Sequence, residues 1–374
     1  MLITRQIVKR SIAHCKFLSS IRSQNDPRQH SIEDRGLFYK IPENDFHSLF
    51  PSLTMLPAHF RRIPSLLDEF SIMVREPALE IIQLLKLADY KLPPIKYILW
   101  GPKGYGKRQS LYHIMHYGHL AGYFIIPLLT ARHMVSNHDD ITPSENDDKI
   151  DQPITSAHWL TVFSKSSARK FLEEWTSSKG YHWTERESSD AGASLLSMVE
   201  YGAGRPRSAS KVIAALMSEI KQQAGERNVP LLICIDGINA FHYTTKLRYQ
   251  RQYIPVERLT MMSAFKSLLD CDWTNGAVVG TVTPLPHYVR PTQNPEDSFS
   301  VFTQMGKEAF DQLNPFIPVF VDKYSKEEAE CQLDYYNETK WLTNPNSQTP
   351  TGRNELLFLS DCVPRKLEEL ASWR

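Results

Sequence analysis

Seven consecutive residues, Gly101-Pro102-Lys103-Gly104-Tyr105-Gly106-Lys107, carry the pattern G-x-x-x-x-G-K. Glycines at this spacing let the backbone curl until successive N–H groups converge on one anion, and the lysine brings a full positive charge to the same point. The pattern has meaning only where a strand enters it and a helix leaves it, because the helix N-terminus adds its positive dipole end. Tyr97 to Trp100 is a short apolar strand just before it, and Gln109 to Leu120 has helical character just after. The chemistry on offer is polyphosphate binding. Gly101, Lys103, Gly104, Tyr105, Gly106, Lys107, Arg108 and Gln109 are the candidate binding residues, with Lys107 placed to reach the β- and γ-phosphates.

Position 108 departs from the pattern. A serine or threonine hydroxyl normally ligates Mg²⁺ there, and this chain has Arg108. Ser110 is no replacement, since two residues along a helix is about 200° of rotation. The Mg²⁺ site is therefore expected to be impaired. Two readings of Arg108 stand side by side: its guanidinium neutralises phosphate charge in place of the ion, or it marks a loop that has lost its ligand.

A second candidate, Asp236, ends the apolar run Leu231 to Ile235 and sits like the carboxylate that holds Mg²⁺ through water, which makes it both a nucleotide-binding and a metal candidate. An aspartate there also suits a turn or cap. The residue that follows is Gly237 and not a glutamate that would polarise water, so the chemical step should lose roughly 10² to 10⁴ in rate and no catalytic residue is expected. Thr281 and Thr283 end a further strand, where a hydroxyl serves either as a polar sensor of the γ-phosphate or simply as a strand former. Thr245-Lys246-Leu247-Arg248 lacks the final aspartate of a guanine motif, so the residues alone do not choose the base.

These groups need a scaffold. Apolar strands near 97–100, 123–126, 231–235, 277–282 and 316–321 alternate with helical segments near 156–176 and 194–224, which predicts an α/β fold with a parallel sheet covered by helices. Residues 26–95 read as a partly helical N-terminal extension, with a helix from Ser65 towards Leu87 broken near Pro77. Residues 136–151, with six acids against Lys149, read as an exposed acidic loop insertion in a nucleotide-binding domain spanning 96–323. Ser325 and Glu328 form a capping box that opens a C-terminal helical unit, 324–374. His113, His116 and His119 fall short of the four ligands of structural zinc and read as a solvated helix face. The five cysteines are far apart, without a C-x-x-C pair.

Residues 1–25 hold Arg5, Lys9, Arg10, Lys16 and Arg22 and no acid, interleaved with apolar residues. That is the composition of a mitochondrial transit peptide, the alternative being a basic arm for nucleic acid. Without those five, 38 basic residues face 42 acids, so any RNA contact should be a local patch. Arg205, Arg207, Lys211, Lys246, Arg248 and Arg251 are candidates for it. No run reaches the roughly 18 uncharged apolar residues of a membrane span, and no membrane partner is expected.

Several segments, in order, give the chain a family likeness: Asp151-Gln152-Pro153, Trp183 with Arg186-Glu187-Ser188, Ile235-Asp236-Gly237-Ile238-Asn239-Ala240, Gly276 to Val279, Pro315-Phe316-Ile317-Pro318 and Glu355 to Ser360. From about residue 90 onward the chain resembles the death-associated protein 3 family. The resemblance implies a P-loop NTPase fold of the AAA/STAND type that binds GTP or GDP, with ATP left open. It also implies a place in the mitochondrial matrix as a structural component of the small ribosomal subunit, among its proteins and rRNA and near a bridge to the large subunit, and a link with apoptosis. By that likeness the family roles carry over to Lys107 and Asp236. The Mg²⁺ role does not carry over to Arg108, where the family usually has threonine. The rival reading is an active AAA-type ATPase or GTPase that remodels a partner.

Overall fold

The computed structural model describes residues 21–57, 60–61, 69–136, 140–144, 148–283 and 300–372. Most of the expected transit peptide, residues 1–20, lies outside them. Five strands form the central sheet: β1 (Ile95–Trp100), β2 (Phe124–Leu128), β3 (Leu231–Asp236), β4 (Gly276–Thr281) and β5 (Ile317–Phe320). Their order is β5-β1-β4-β3-β2 and every pairing is parallel.

The strands are apolar throughout because both faces of the sheet are covered. Tyr97, Leu99, Leu232, Cys234, Ala277 and Val279 point into one core, together with α1 (Glu76–Leu87) and α2 (Lys107–Leu120). Ile98, Ile233, Ile235 and Val278 point into the other, beneath α3 (Pro153–Phe163), α4 (Leu195–Gly204) and α5 (Pro206–Ala224). Strand order matters for the site. β4 lies between the strand that feeds the glycine turn and the strand that ends in Asp236, and its last residue, Thr281, is in register with both Leu99 and Asp236.

The C-terminal unit comprises α6 (Lys326–Glu338), α7 (Pro350–Ser360) and α8 (Pro364–Ala371). The Ser325/Glu328 capping box opens α6 as its spacing predicts, each side chain bonding the other residue's backbone N–H. This unit packs Leu333, Leu357 and Leu367 against Phe38 and Met73 of a two-stranded antiparallel ribbon, Phe38–Lys40 with Ser71–Met73. The same ribbon holds the end of the basic N-terminal segment. Ser23 N–H donates to the Phe38 carbonyl at 2.6 Å, and Arg22 pairs with Glu69 at 3.1 Å and with Glu338 at 3.0 Å.

Several expectations are corrected. Pro77 does not break a helix; it is the second residue of α1, where its missing N–H costs nothing, and a strand precedes it at Ser71–Met73. The helical segments near 156–176 and 194–224 are each two helices, the second interrupted at Arg205-Pro206 because the proline cannot continue the hydrogen-bond ladder. Residues 136–151 are not wholly an exposed loop: Thr142–Pro143 pairs with Ile150–Asp151, and Ile150 and Asp151 are buried.

Two of the three histidines of α2 are also not solvated, since His113 and His116 are both fully buried, while His119 is partly exposed. Residues 30–57 and Phe60 cover the outer side of α2, a contribution that helix periodicity cannot reveal. His30 Nε2 must donate to the Gln24 carbonyl at 2.8 Å, so its Nδ1 accepts from His113 Nε2 at 2.9 Å. His116 donates to Asp45 at 3.2 Å and stacks on Tyr39. Burial pushes His116 down to about 4, against the pull of Asp45, and holds His113 well below the usual histidine range.

A depressed histidine makes the unfolded chain the stronger proton binder between its own value near 6.5 and the folded value near 4. The histidine contribution to stability should thus be level above about pH 7 and fall from pH 6.5 towards 4, with His116 alone contributing on the order of 3 kcal/mol. Urea midpoints measured at pH 7 and pH 5 for wild type and His116→Phe check this. The variant should show a shallower drop, and an unchanged drop would acquit the histidine.

Candidate functional site

Between β1 and α2 the backbone makes the curl that the motif predicts. Gly101, Gly104 and Gly106 have φ of 136°, 89° and 101°, a region closed to most side chains. Space excludes side chains as well: a Cβ on Gly101 would lie 2.5 Å from the Val321 carbonyl oxygen, and one on Gly104 would lie 2.9 Å from Arg365 Cβ. Gly106 is the N-cap of α2 and offers no side-chain cap, so the first-turn N–H groups of Lys107, Arg108 and Gln109 have no intrahelical acceptor. These are the groups that an anion satisfies.

Lys107 is 9% exposed, and its ammonium donates to the Gly101 carbonyl and to the Pro102 carbonyl at 2.8 Å, which holds it against the glycine loop. Burial lowers its pKa to about 8; Asp236 opposes this and Arg108 adds to it. Arg108 reaches across to the end of β3, where its Nε donates to Asp236 Oδ2 at 2.6 Å and its Nη2 meets the same oxygen. Burial works against the guanidinium's charge, but Asp236 outweighs it and holds the pKa above the usual value. Both threonines line the cleft, but it is Thr281 that donates to Asp236 Oδ1, at 2.5 Å, while the Thr283 hydroxyl donates to Asn239.

Both carboxylate oxygens of Asp236 are therefore engaged, one by a hydroxyl and one by a guanidinium. A P-loop Mg²⁺ is shared between the position of Arg108 and the Asp236 carboxylate. Here a fixed cation stands between them, so the residues present fit a polyphosphate and do not fit that ion.

Lys103, Gly104, Gly106, Lys107, Arg108, Gln109 and Asp236 all line one cleft of about 160 Å³. Gly101, although expected among the binding residues, does not line the cleft; its N–H is donated to Gln304 Oε1 at 3.1 Å. Tyr105 does not join the cleft; its ring packs on the core beside α2. The volume suits phosphates and is below the roughly 300 Å³ at which small-molecule pockets begin, so a nucleoside would extend beyond it. Three residues that the motif does not announce shape the cleft. Arg75 donates to the Tyr105 carbonyl at 2.7 Å, Arg365 lies against Gly104 and donates its backbone N–H to the Gly104 carbonyl at 3.1 Å, and Arg132 stands beside Gly237. Arg75 and Arg365 are far from the loop in sequence, and no local spacing signals them.

The six basic residues expected to meet RNA fall in two groups. Lys246 and Arg248 alternate with buried Thr245 and Leu247 on one exposed face of a hairpin, Thr244–Tyr249 with Gln252–Pro255, and Arg251 is at its tip in the left-handed region, φ 67°. Arg205, Arg207 and Lys211 belong to the start of α5, where Arg205 is paired with Glu187 at 3.2 Å.

A parallel five-stranded sheet covered on both faces, with a G-x-x-x-x-G-K turn between one strand and the helix after it and a carboxylate two strands away, defines an α/β protein of P-loop-like architecture. The family model for mitochondrial ribosomal death-associated protein 3 matches residues 72–370. The chain is 34% identical over 352 residues to the small ribosomal subunit protein mS29 of Bos taurus, covering 94% of this chain and 87% of that one. It is 32% identical over 352 residues to mS29 of Mus musculus, covering 94% and 88%. The chain belongs to the mitochondrial ribosomal death-associated protein 3 family, and it is a mitochondrial protein.

Proposed function

We propose that this chain is a structural component of the mitochondrial small ribosomal subunit, with a P-loop NTPase-type domain whose cleft holds GTP or GDP as part of the fold and turns it over slowly or not at all. The observation that carries the ribosomal part is the length of the match: likeness to proteins named for the small subunit runs over 94% of the chain, leaving little room for a different architecture. The curl at Gly101, Gly104 and Gly106 and the Lys107 ammonium held against it support the nucleotide part. The basic face of the hairpin bearing Lys246 and Arg248 supports contact with rRNA phosphates, because charge on one exposed edge positions a protein on a nucleic-acid backbone.

Against an ATPase or GTPase that remodels a partner stand Gly237, which cannot polarise water, and the guanidinium on Asp236. The test of the ribosomal role is sedimentation of mitochondrial lysate. The chain should travel with small subunits and move to the intact ribosome at Mg²⁺ concentrations that join the two subunits. Sedimentation with neither particle, in an extract whose small subunits are intact, would refute the assignment.

A further inference from the structure

We propose that Arg108 replaces the divalent ion of a P-loop, so that the cleft takes a nucleoside di- or triphosphate free of metal. This rests on the nucleotide-binding reading above and adds to it the ionic form of the ligand. The residue after the motif lysine and the carboxylate that ends β3 are the two places between which such a loop shares Mg²⁺. In this chain one side chain bridges that interval: Arg108 rises from the first turn of α2, and its Nε and Nη2 reach Asp236.

Asp236 is held for this task and not for metal, since Thr281 fixes its other oxygen at 2.5 Å. The Arg108 side chain remains 31% exposed and lines the cleft with Lys103 and Lys107. A guanidinium is planar, permanently charged and matched to phosphate oxygens through paired N–H groups, which lets it neutralise a polyphosphate while keeping its carboxylate partner. A metal-bound nucleotide, in contrast, would set a divalent cation against that guanidinium. The ion should therefore leave binding unchanged or weaken it.

Fluorescent mant-GDP titrated into the full chain tests this, in excess Mg²⁺ and in excess EDTA, with Mn²⁺ electron paramagnetic resonance as a second readout. Wild type should bind no more weakly in EDTA than in Mg²⁺, and its complex with GDP should leave the Mn²⁺ signal that of the solution ion. Arg108→Thr restores a hydroxyl and uncovers Asp236, so it should bind at least about tenfold more tightly with Mg²⁺ than without and should immobilise Mn²⁺. A wild type that needs the ion, or that immobilises Mn²⁺ with GDP, overturns the proposal. So does a wild type that binds in neither buffer while Arg108→Thr binds with Mg²⁺, because Arg108 would then be a plug. Failure of both proteins in both buffers would instead sink the nucleotide reading on which the proposal stands.

Discussion

Replacing Arg75 with methionine should destabilise the protein by roughly 3–5 kcal/mol, read as a fall in the urea midpoint, because it removes the cation from a buried network. Arg75 is 4% exposed and lies where three parts of the chain meet. Its guanidinium donates to the Tyr105 carbonyl at 2.7 Å, to the Asp322 carbonyl at 3.0 Å and to the Lys323 carbonyl at 3.2 Å. It also faces Glu328 at 3.4 Å and the Tyr324 ring at 4.9 Å. Glu328 keeps Arg35 at 3.2 Å and the Ser325 N–H at 2.9 Å, so the loss should fall towards the lower end of that range. Lysine in place of Arg75 should recover little, since a single ammonium cannot span carbonyls on both sides. A loss of stability of less than about 1 kcal/mol would show that these carbonyls find water as easily as they find Arg75.

The same substitution reaches the candidate site. Tyr105 is the residue between two glycines of the cradle, and Arg75 fixes its carbonyl from outside the loop. The C-terminal unit meets the loop from another direction through Arg365 and Gly104, so the cradle's curvature depends on residues 75, 322–328 and 365 as well as on its own glycines.

This division explains what could be read from the sequence. The cradle was legible because its conformation depends on glycine, and glycine spacing is visible. The sheet was legible because strands covered on both faces are apolar without alternation, as in Leu231 to Ile235. The burial of His113 and His116 was not, because polar residues on a helix read as its wet side unless one knows that residues 30–57 fold over them. Thr281 was ambiguous for a similar reason: a strand-ending threonine has no special meaning until strand order sets it beside Asp236. Arg75 was invisible because its partners are about 30 and 250 residues away.

The second large effect concerns Lys107. Confined to about pKa 8 by burial, its ammonium should be drawn back to full charge by a bound phosphate, so binding takes up a proton and weakens as pH rises above 8. In the ligand-free protein the sign is opposite. Between about pH 8 and 10.5 the unfolded chain holds a proton that the folded chain lacks, so this group's contribution to stability rises with pH across that window. Both effects should vanish in Lys107→Ala. At a ligand concentration of about 100 times the dissociation constant, binding adds about 2.7 kcal/mol to the folded state, enough to move a thermal midpoint by several degrees. The decisive measurement is the thermal midpoint of wild type and Lys107→Ala at pH 7, with and without saturating GDP. Wild type should rise by several degrees and the variant should not move; a wild type that stays put, or a variant that rises equally, would contradict a phosphate cradle built on Lys107.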